Sequence, residues 1–220
     1  MKKPLLPVRQ SKIAMTKTTS FDEHVTEYDA WFENHRDLYS AELEAVRSFI
    51  PAGSGMEIGV GTGRFAAPLG IPIGVEPSPR SAELARQRGV EVVEGKAEDL
   101  PFADGSFDFA LMVTVVCFVV DVTQTFREAN RVLKPGGTLV IGAIDRESDL
   151  GKQYIRRKEQ SRFYRDATFY SVGELEALLT KTGFSDFAYR QTLLPGETTG
   201  LSREGYGSGG FVVIRAHKKA

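Results

Sequence analysis

Cysteine, net charge and long apolar runs are all scarce in this sequence of 220 residues. The one cysteine, Cys117, has no second thiol with which to form an intramolecular disulfide or a cysteine-rich zinc site. The 28 Lys and Arg residues nearly balance the 29 Asp and Glu residues, so the net charge of −1 creates no long-range field that would gather nucleic acid. No nucleic-acid partner is therefore expected, and a neutral or small-molecule substrate is favoured.

Membrane-spanning and export segments are also missing. No stretch approaches the roughly 18 consecutive apolar residues that a transmembrane helix needs. Residues 1–20 are basic, but Pro4 and Pro7 interrupt their few apolar residues, and no apolar run typical of a signal peptide follows. The same residues lack a periodic apolar pattern, so we expect a loose N-terminal arm over residues 1–20. A cytoplasmic protein without a membrane span is therefore expected.

Hydrophobic residues make up 41% and charged residues 26% of the chain, which is the balance of an ordinary globular protein. A chain of this length favours one domain, which we assign to residues 21–220. Between residues 21 and 50, apolar and aromatic residues recur at steps of three and four, which predicts one or two amphipathic helices. These helices would form an N-terminal helical cap.

Short apolar runs alternate with helical patterns after residue 55, as is typical of βαβ units that stack into a mainly parallel sheet. Two further alternating runs are expected to form an antiparallel pair at the edge of the sheet. The predicted strands lie near residues 55–59, 73–76, 90–94, 107–113, 138–143, 184–192 and 210–216. The predicted fold class is α/β, with a seven-stranded, mostly parallel sheet, one antiparallel edge strand and helices on both faces.

Three of the predicted helices carry recognisable start signals. Ser78 can cap a helix whose first residue, Pro79, needs no backbone N–H. Asp121 has a glutamine at the capping-box position, and Ser171 has a glutamate there. The helix that follows Asp121 is expected to end at the Pro-Gly-Gly segment 135–137, before the fifth strand.

A glycine-rich segment, residues 57–63, follows a predicted strand and opens a helical pattern, so backbone N–H groups there can face a ligand without side chains in the way. Glycine loops also make plain turns. Glu76 ends the next strand, where a carboxylate can accept hydrogen bonds from both ribose hydroxyls of a nucleoside, although solvated strand-end glutamates are common. Arg64 stands where a dinucleotide-binding fingerprint needs its third glycine, which argues against a nicotinamide-dependent oxidoreductase.

Together, five motifs resemble the class I S-adenosylmethionine (SAM)-dependent methyltransferases of the ubiquinone/menaquinone-biosynthesis type. They are residues 57–63, 74–78, 95–102, 104–108 and 131–137, and their order and spacing match over residues 55 to 145. The resemblance implies a Rossmann-like fold, SAM as the cofactor, and an enzyme that transfers a methyl group from SAM by in-line displacement. Residues 55–143 would be the cofactor-binding half of the domain.

The resemblance also implies which residues contact the cofactor. The three glycines of the loop would border its methionine and ribose parts, Glu57 would orient the loop or the amino group, and Glu76 would hold the ribose. Lys96 stands where many relatives have an aspartate, so Glu98 or the backbone would contact the adenine amine. The full implied set is Tyr28, Trp31, Glu57, Gly59, Gly61, Gly63, Glu76, Pro77, Ala97, Glu98, Val113 and Thr114. The two aromatic residues of the cap are equally suited to core packing.

The acceptor side rests on residues 144–170, where this class of protein commonly has a lid, followed by a C-terminal helix and hairpin at 171–220. Its aromatic residues predict a small-molecule acceptor of apolar or aromatic character; they are Tyr154, Phe163, Tyr164, Phe169 and Tyr170. Methylation of nucleic-acid bases is disfavoured, because residues 113–116 lack the Asn-Pro-Pro-Tyr type of motif. A nicotinamide-dependent oxidoreductase and a non-catalytic SAM-binding sensor or scaffold are the alternative functions. No metal site or catalytic base is predicted, and the acceptor, the methylated atom and the oligomeric state are left open.

Overall fold

Short β-branched runs alternate with capped helices to build a single mixed sheet. The computed structural model describes residues 19–196 and 201–219. Within them the helices are α1 (Thr19–Glu23), α2 (Val25–Asn34), α3 (Arg36–Arg47), α4 (Ala66–Leu69), α5 (Pro79–Gln87), α6 (Val122–Val132), α7 (Asp149–Arg157) and α8 (Val172–Lys181), with a 3-10 turn at Lys158–Gln160. The strands are β1 (Gly55–Ile58), β2 (Ile73–Glu76), β3 (Glu91–Glu94), β4 (Phe107–Val113), β5 (Leu133–Ile144), β6 (Phe184–Thr192), β7 (Arg203–Glu204) and β8 (Phe211–Lys218).

The strands follow the order β3-β2-β1-β4-β5-β8-β6-β7 across the sheet. Strands β1 to β5 pair in parallel, whereas β8 pairs antiparallel with both β5 and β6. The predicted α/β class and the parallel sheet with an antiparallel edge region are confirmed. The described residues form eight strands rather than seven, because residues 203–204 pair with β6 as β7, and the N–H of Gly205 donates to the Tyr189 carbonyl at 3.0 Å.

The three predicted helix starts are confirmed by their hydrogen bonds. The Ser78 hydroxyl accepts from the backbone N–H of Ser81 at 3.2 Å, and Asp121 accepts from that of Gln124 at 2.9 Å. Ser171 forms a complete capping box with Glu174. Each cap satisfies an N–H group that the first turn of a helix leaves without a partner, so these polar residues specify where the helices begin.

The Pro-Gly-Gly segment differs from its prediction, because it lies inside β5 rather than before it. Leu133 pairs with Phe107 and Thr138 pairs with Phe109, so residues 134–137 bulge opposite a single residue of β4. The proline and the glycines supply what such an irregular stretch needs, including a positive φ of 72° at Gly136. The strand therefore begins directly where α6 ends.

Helices pack on both faces of the sheet, and β4 shows how. Phe109 and Leu111 point into a core on one face, while Ala110 and Met112 point into a core on the other, as the period of two in a strand requires. The core on the first face includes residues of α2, α3, α4 and α5, and that on the second face includes residues of α6 and α8. Both cores continue into β8, so the antiparallel strand is fully part of the interior.

The N-terminal cap consists of three helices in the described residues rather than one or two. The helical pattern is interrupted at His24 and at His35, whose backbone angles are not helical and which provide no side-chain cap. The first helix begins at Thr19, inside the predicted arm, and residues 1–18 of that arm lie outside the described residues. The apolar period alone could not reveal two single-residue breaks, since it continues through them.

An ion-pair network fastens this cap to the glycine-rich segment. Arg64 donates to Asp29 at 2.7 Å and to Glu33 at 2.6 Å, and Arg88 also donates to Asp29 at 2.7 Å. Burial alone would raise the pKa of Asp29, but hydrogen bonds, those from Arg64 first among them, lower it to about 2. The Tyr39 hydroxyl adds a hydrogen bond to the Arg64 carbonyl. The cap is thus held on the edge of the sheet where the loops after β1 and β2 emerge.

Candidate functional site

A cleft opens at the carboxyl ends of β1, β2 and β4. The chain leaves β1 toward β2 on one side and β4 lies on its other side, so this is a topological switch point, where open α/β sheets bind their ligands. We call this the strand-end cleft. Its lining residues are Phe21, Tyr28, Gly59, Gly61, Val75, Glu76, Pro77, Ser81, Gly95, Lys96, Ala97, Glu98, Val113, Thr114, Val115, Phe118, Val119, Val120 and Tyr164.

The glycine-rich loop forms one wall of the cleft. Gly59 and Gly61 both have positive φ, 69° and 52°, so side chains would be strained at either position. A side chain at Gly59 would also collide with Val115, whereas the space beside Gly61 is open to 4 Å. The loop therefore leaves room for a ligand to approach the backbone at Gly61.

Glu76 lies at the bottom of the cleft and is almost fully buried. One carboxylate oxygen accepts from the Gly61 N–H and the other from the Ser78 N–H, each at 2.9 Å. Burial raises the pKa of Glu76 to about 7, and these two hydrogen bonds offset part of that effect. The strand-end glutamate is therefore a positioned acceptor group and not a solvated one.

Glu98 lines the far side of the cleft and stabilises the loop after β4. Its carboxylate accepts from the backbone N–H of Val120 at 2.7 Å and more weakly from that of Asp121 at 3.4 Å. The Lys96 side chain belongs to the same wall. Glu98 thus holds the segment that carries Val119 and Val120 against the cleft.

Nine of the twelve residues implied by the resemblance line the strand-end cleft, and three lie elsewhere. Trp31 lines a second cavity. Glu57 is buried beneath the loop, where burial raises its pKa well above the usual range and one carboxylate oxygen has no hydrogen-bond partner among the described residues. A Cβ atom at Gly63 would lie 3.1 Å from the backbone of Ala85 in α5, so the missing side chain permits close packing of this helix.

The second cavity lies between the cap and the segment after β5, and we call it the cap cavity. It has a volume of about 300 Å³ and adjoins the strand-end cleft, because Tyr28, Thr114 and Tyr164 line both. Its lining residues are Glu27, Tyr28, Trp31, Phe32, Asn34, His35, Leu38, Glu42, Phe65, Thr114, Ile144, Leu150, Tyr154, Phe163, Tyr164 and Leu193. Seven of them are Phe, Tyr or Trp, so the cavity is strongly aromatic.

Thr114 stands at the junction of the two spaces. It follows β4 directly and has a φ of 54°, which is unusual for a β-branched residue and costs conformational energy. The conformation is held by a hydrogen bond from its N–H to the Gly142 carbonyl at 2.8 Å. Its carbonyl accepts from the thiol of Cys117, which is buried as expected for a core cysteine.

Aromatic contacts close the cap over both spaces. Phe21 of α1 packs edge-on against Tyr28 and Phe118, with ring centroids 5.1 and 4.8 Å away. Phe163 packs against both Phe21 and Tyr28. Arg162, next to Phe163, forms an ion pair with Glu27 of α2. The segment that follows α7 is thereby joined to the cap.

Sequence reasoning missed Glu42, which is buried in the cap cavity. It has no hydrogen-bond or ion-pair partner among the described residues, and burial raises its pKa to about 8. A signal was available, because Glu42 lies four residues after Leu38 and four before Val46 and so shares the apolar face of α3. Phe21, Phe118 and Val115 were also missed, since nothing local in the sequence marks them.

Two features are absent from residues 19–196 and 201–219. No group of His, Cys, Asp and Glu side chains there is arranged to hold a metal ion. None of the helices in that part of the chain is long and apolar enough to cross a membrane.

Comparison with known proteins agrees with this geometry. The methyltransferase domain family matches residues 56–141. A crystal structure of a SAM-dependent methyltransferase from Thermotoga maritima, described as a possible histamine N-methyltransferase, is 52% identical, with a TM-score of 0.89 over 92% of this chain and 100% of that one. The chain therefore belongs to the SAM-dependent methyltransferases, and SAM is its cofactor. This membership confirms the predicted enzyme class and excludes the alternative of a nicotinamide-dependent oxidoreductase.

Two further relatives extend the comparison. An uncharacterized protein from Methanocaldococcus jannaschii is 46% identical over 90% of this chain and 98% of its own length. The ubiquinone biosynthesis O-methyltransferase of Azorhizobium caulinodans is 28% identical over 59% of this chain and 57% of its own length. The predicted resemblance to methyltransferases of quinone biosynthesis is thus confirmed at the level of the class I family.

Proposed function

We propose that SAM binds in the strand-end cleft and that the methyl acceptor is a small molecule bound in the cap cavity. The observation that carries the proposal is the junction of the two spaces at Tyr28, Thr114 and Tyr164. Two substrates placed on either side of such a junction can meet at one point. The acceptor is apolar or aromatic in its main body, because seven aromatic side chains line its cavity.

In the cleft, each proposed contact uses a group that is already positioned. The backbone at Gly61 would face the cofactor, and Glu76 would accept hydrogen bonds from the ribose hydroxyls beside Pro77. Ala97 and Glu98 would border the adenine. Val113 and Thr114 would border the methionine end of the cofactor. The buried carboxylate of Glu76 and the open space beside Gly61 fit a nucleoside.

The protein's part in the reaction is positioning and the exclusion of water. When bound, SAM supplies a methyl group on a sulfonium, which is an excellent leaving group. The aromatic cap would hold the acceptor in line and keep water out, and such positioning supplies much of the rate of a bimolecular displacement. Residues 144–170 would act as the acceptor lid, because Ile144, Leu150, Tyr154, Phe163 and Tyr164 line the cap cavity.

The names of two relatives support a small-molecule acceptor. The Thermotoga maritima protein is described as a possible histamine N-methyltransferase, and the Azorhizobium caulinodans protein as a ubiquinone biosynthesis O-methyltransferase. Histamine is a small ring compound, which suits a cavity of about 300 Å³.

The test joins a binding measurement to a transfer measurement. Calorimetry should show saturable binding of SAM and of S-adenosylhomocysteine. Incubation of the protein with methyl-tritiated SAM and a cell extract should place the label in compounds that pass a filter retaining protein and nucleic acid. Label in the retained fraction would contradict a small-molecule acceptor. SAM binding without any labelled product would favour the non-catalytic sensor or scaffold.

A further inference from the structure

The cap cavity contains a carboxylate that its surroundings leave uncompensated. Glu42 projects from α3 and is only 8% exposed, yet no described residue gives it a hydrogen bond or an ion pair. Among the described residues that line the cavity there is no lysine or arginine. Ionisation of Glu42 without a bound cation is therefore costly, in keeping with its raised pKa of about 8, and a cation bound beside it would remove that cost.

The groups that face Glu42 do not supply that missing charge. The other titratable groups of the cavity are Glu27, Tyr28, His35, Tyr154 and Tyr164. Glu27 is already paired with an arginine, and His35 stacks on the Trp31 ring and bonds to its carbonyl at the exposed rim. The three tyrosines are neutral in the ordinary pH range, because burial, to which the charge of Glu42 adds, raises the pKa of each.

Aromatic rings line the same cavity as Glu42, and their faces also attract positive charge. A cationic nitrogen is attracted to the face of Trp, Tyr or Phe within about 6 Å. A cavity with seven such rings and one unpaired carboxylate has the chemistry of an amine site. A quinone or another neutral ring compound would fill the aromatic part but would bring no positive charge to Glu42.

We propose that the acceptor is an amine with an aromatic or apolar body, that the Glu42 carboxylate binds its cationic nitrogen, and that Glu42 takes the proton which the nitrogen must lose. This inference rests on the proposed function, because it assigns the cap cavity to the acceptor. It names the substrate class and a residue that contacts the substrate.

The chemistry balances without a further reactant. The ammonium nitrogen transfers one proton to the Glu42 carboxylate, which becomes a neutral acid. The freed lone pair forms the bond to the methyl carbon, while the carbon–sulfur bond breaks and its electron pair stays on sulfur. The product is a methylated ammonium and a neutral thioether, and the proton on Glu42 returns to solvent after release. Glu42 has a pKa of about 8 without a bound cation, and a bound ammonium would favour its ionised form, so the carboxylate would be present to accept the proton.

The experiment compares amines with alcohols of the same carbon skeleton. Phenethylamine, tryptamine and histamine, and the three corresponding alcohols, are titrated calorimetrically into the complex with S-adenosylhomocysteine, and each is assayed with methyl-tritiated SAM. We expect the amines to bind and to be methylated, and the alcohols to bind at least about tenfold more weakly. Equal binding of alcohols and amines, or no binding of any amine by protein that binds SAM, would overturn the amine site.

Glu42→Gln supplies the decisive variant, with Glu44→Gln as its matched control on the exposed side of the same helix. Glu42→Gln should weaken amine binding about 30-fold or more and leave the affinity for SAM unchanged. It should unfold at the same temperature as the wild type or higher, since it replaces a buried acid that has no partner with a neutral amide of similar shape. Glu44→Gln should change neither property. Amine binding that is unchanged in Glu42→Gln would contradict the inference. A wild-type protein that does not bind SAM would instead contradict the proposed function.

Discussion

The strand-end cleft and the cap cavity adjoin each other but are built in different ways. Of the 19 described residues that line the cleft, 16 lie in the segment 56–141, and many contribute backbone or small side chains. Of the 16 that line the cap cavity, only Phe65 and Thr114 lie in that segment, and large side chains dominate. One space is shaped by strand ends and glycines, and the other by rings brought from distant parts of the chain. We expect this division also to separate cofactor binding from acceptor binding, so that substitutions in the two regions have different effects.

The largest effect is expected from Glu76→Ala. The variant removes both carboxylate oxygens that could hold the ribose, along with the hydrogen bonds to Gly61 and Ser78. SAM affinity measured by calorimetry should fall at least about 100-fold, since the two charge-assisted hydrogen bonds to the ribose contribute about 1.5 to 3 kcal/mol each.

The control for this variant is Glu94→Ala. Glu94 is paired with Glu76 in the adjacent strand but is exposed and lies outside the cleft, so its loss should leave the affinity for SAM unchanged. Equal losses in both variants would mean that strand-end charge in general, and not the buried carboxylate, governs binding.

Arg64→Ala tests the connection between the two regions. It breaks ion pairs with Asp29 and Glu33 that fasten the cap to the glycine-rich loop. The free energy of unfolding should fall by about 2 kcal/mol in denaturant titration, because the pair with Asp29 is mostly buried. Arg36→Ala removes an exposed partner of the same Glu33 and should cost less than about 0.5 kcal/mol. Similar costs for both variants would show that the cap is not held through Arg64.

SAM binding should depend on pH, and this dependence should originate in the strand-end cleft and not in the cap cavity. Burial raises the pKa of Glu76 from its usual 4.5 to about 7, and Asp22 adds to the effect. The ionised carboxylate is the form that accepts hydrogen bonds, so SAM affinity should rise as the pH increases through about 7 and level off above it, by up to about tenfold per pH unit. Binding below that pH should release protons, which calorimetry in buffers of different ionisation enthalpy detects. Glu76→Gln should abolish the dependence, and its persistence there would assign it to another group.

The smallest effects are expected from two aromatic substitutions in the cap. Tyr28 lines both spaces, so Tyr28→Ala should weaken SAM binding about fivefold and also impair acceptor binding. Trp31 lines the cap cavity alone, so Trp31→Ala should leave the affinity for SAM within about twofold of the wild type while impairing acceptor methylation. Thermal unfolding of both variants controls for packing losses. A larger loss of SAM affinity in Trp31→Ala would break the division between the two regions.

The sequence predicted the cleft far better than the cavity, for physical reasons that particular residues show. Gly61 and Glu76 are recognisable because each is required by local geometry within one βαβ unit. Glu42 and Phe163 come together only after the cap and the segment 144–170 fold onto each other, and no local pattern encodes that contact. Arg64 was informative in the sequence only as a missing glycine, but in the structure it holds the cap in place.

The strand prediction was wrong where pairing with a neighbouring strand, and not the β propensity of the residues, determines the structure. β7 is two residues long and is defined by its pairing with the outer edge of β6. The bulge at 134–137 is defined by pairing with β4, which resumes at Thr138 after it began at Leu133. Neither could be derived from the period of apolar residues.

Among the described residues, only Tyr28, Thr114 and Tyr164 line both spaces, and this has a consequence for substitutions in either of them. On the proposed assignment, changes in the helices before residue 50 and in the segment after residue 143 would alter the acceptor cavity and leave residues 55–143 unchanged. Thr114 borders both spaces and has a left-handed backbone that few side chains adopt, so a substitution there would disturb both spaces at once.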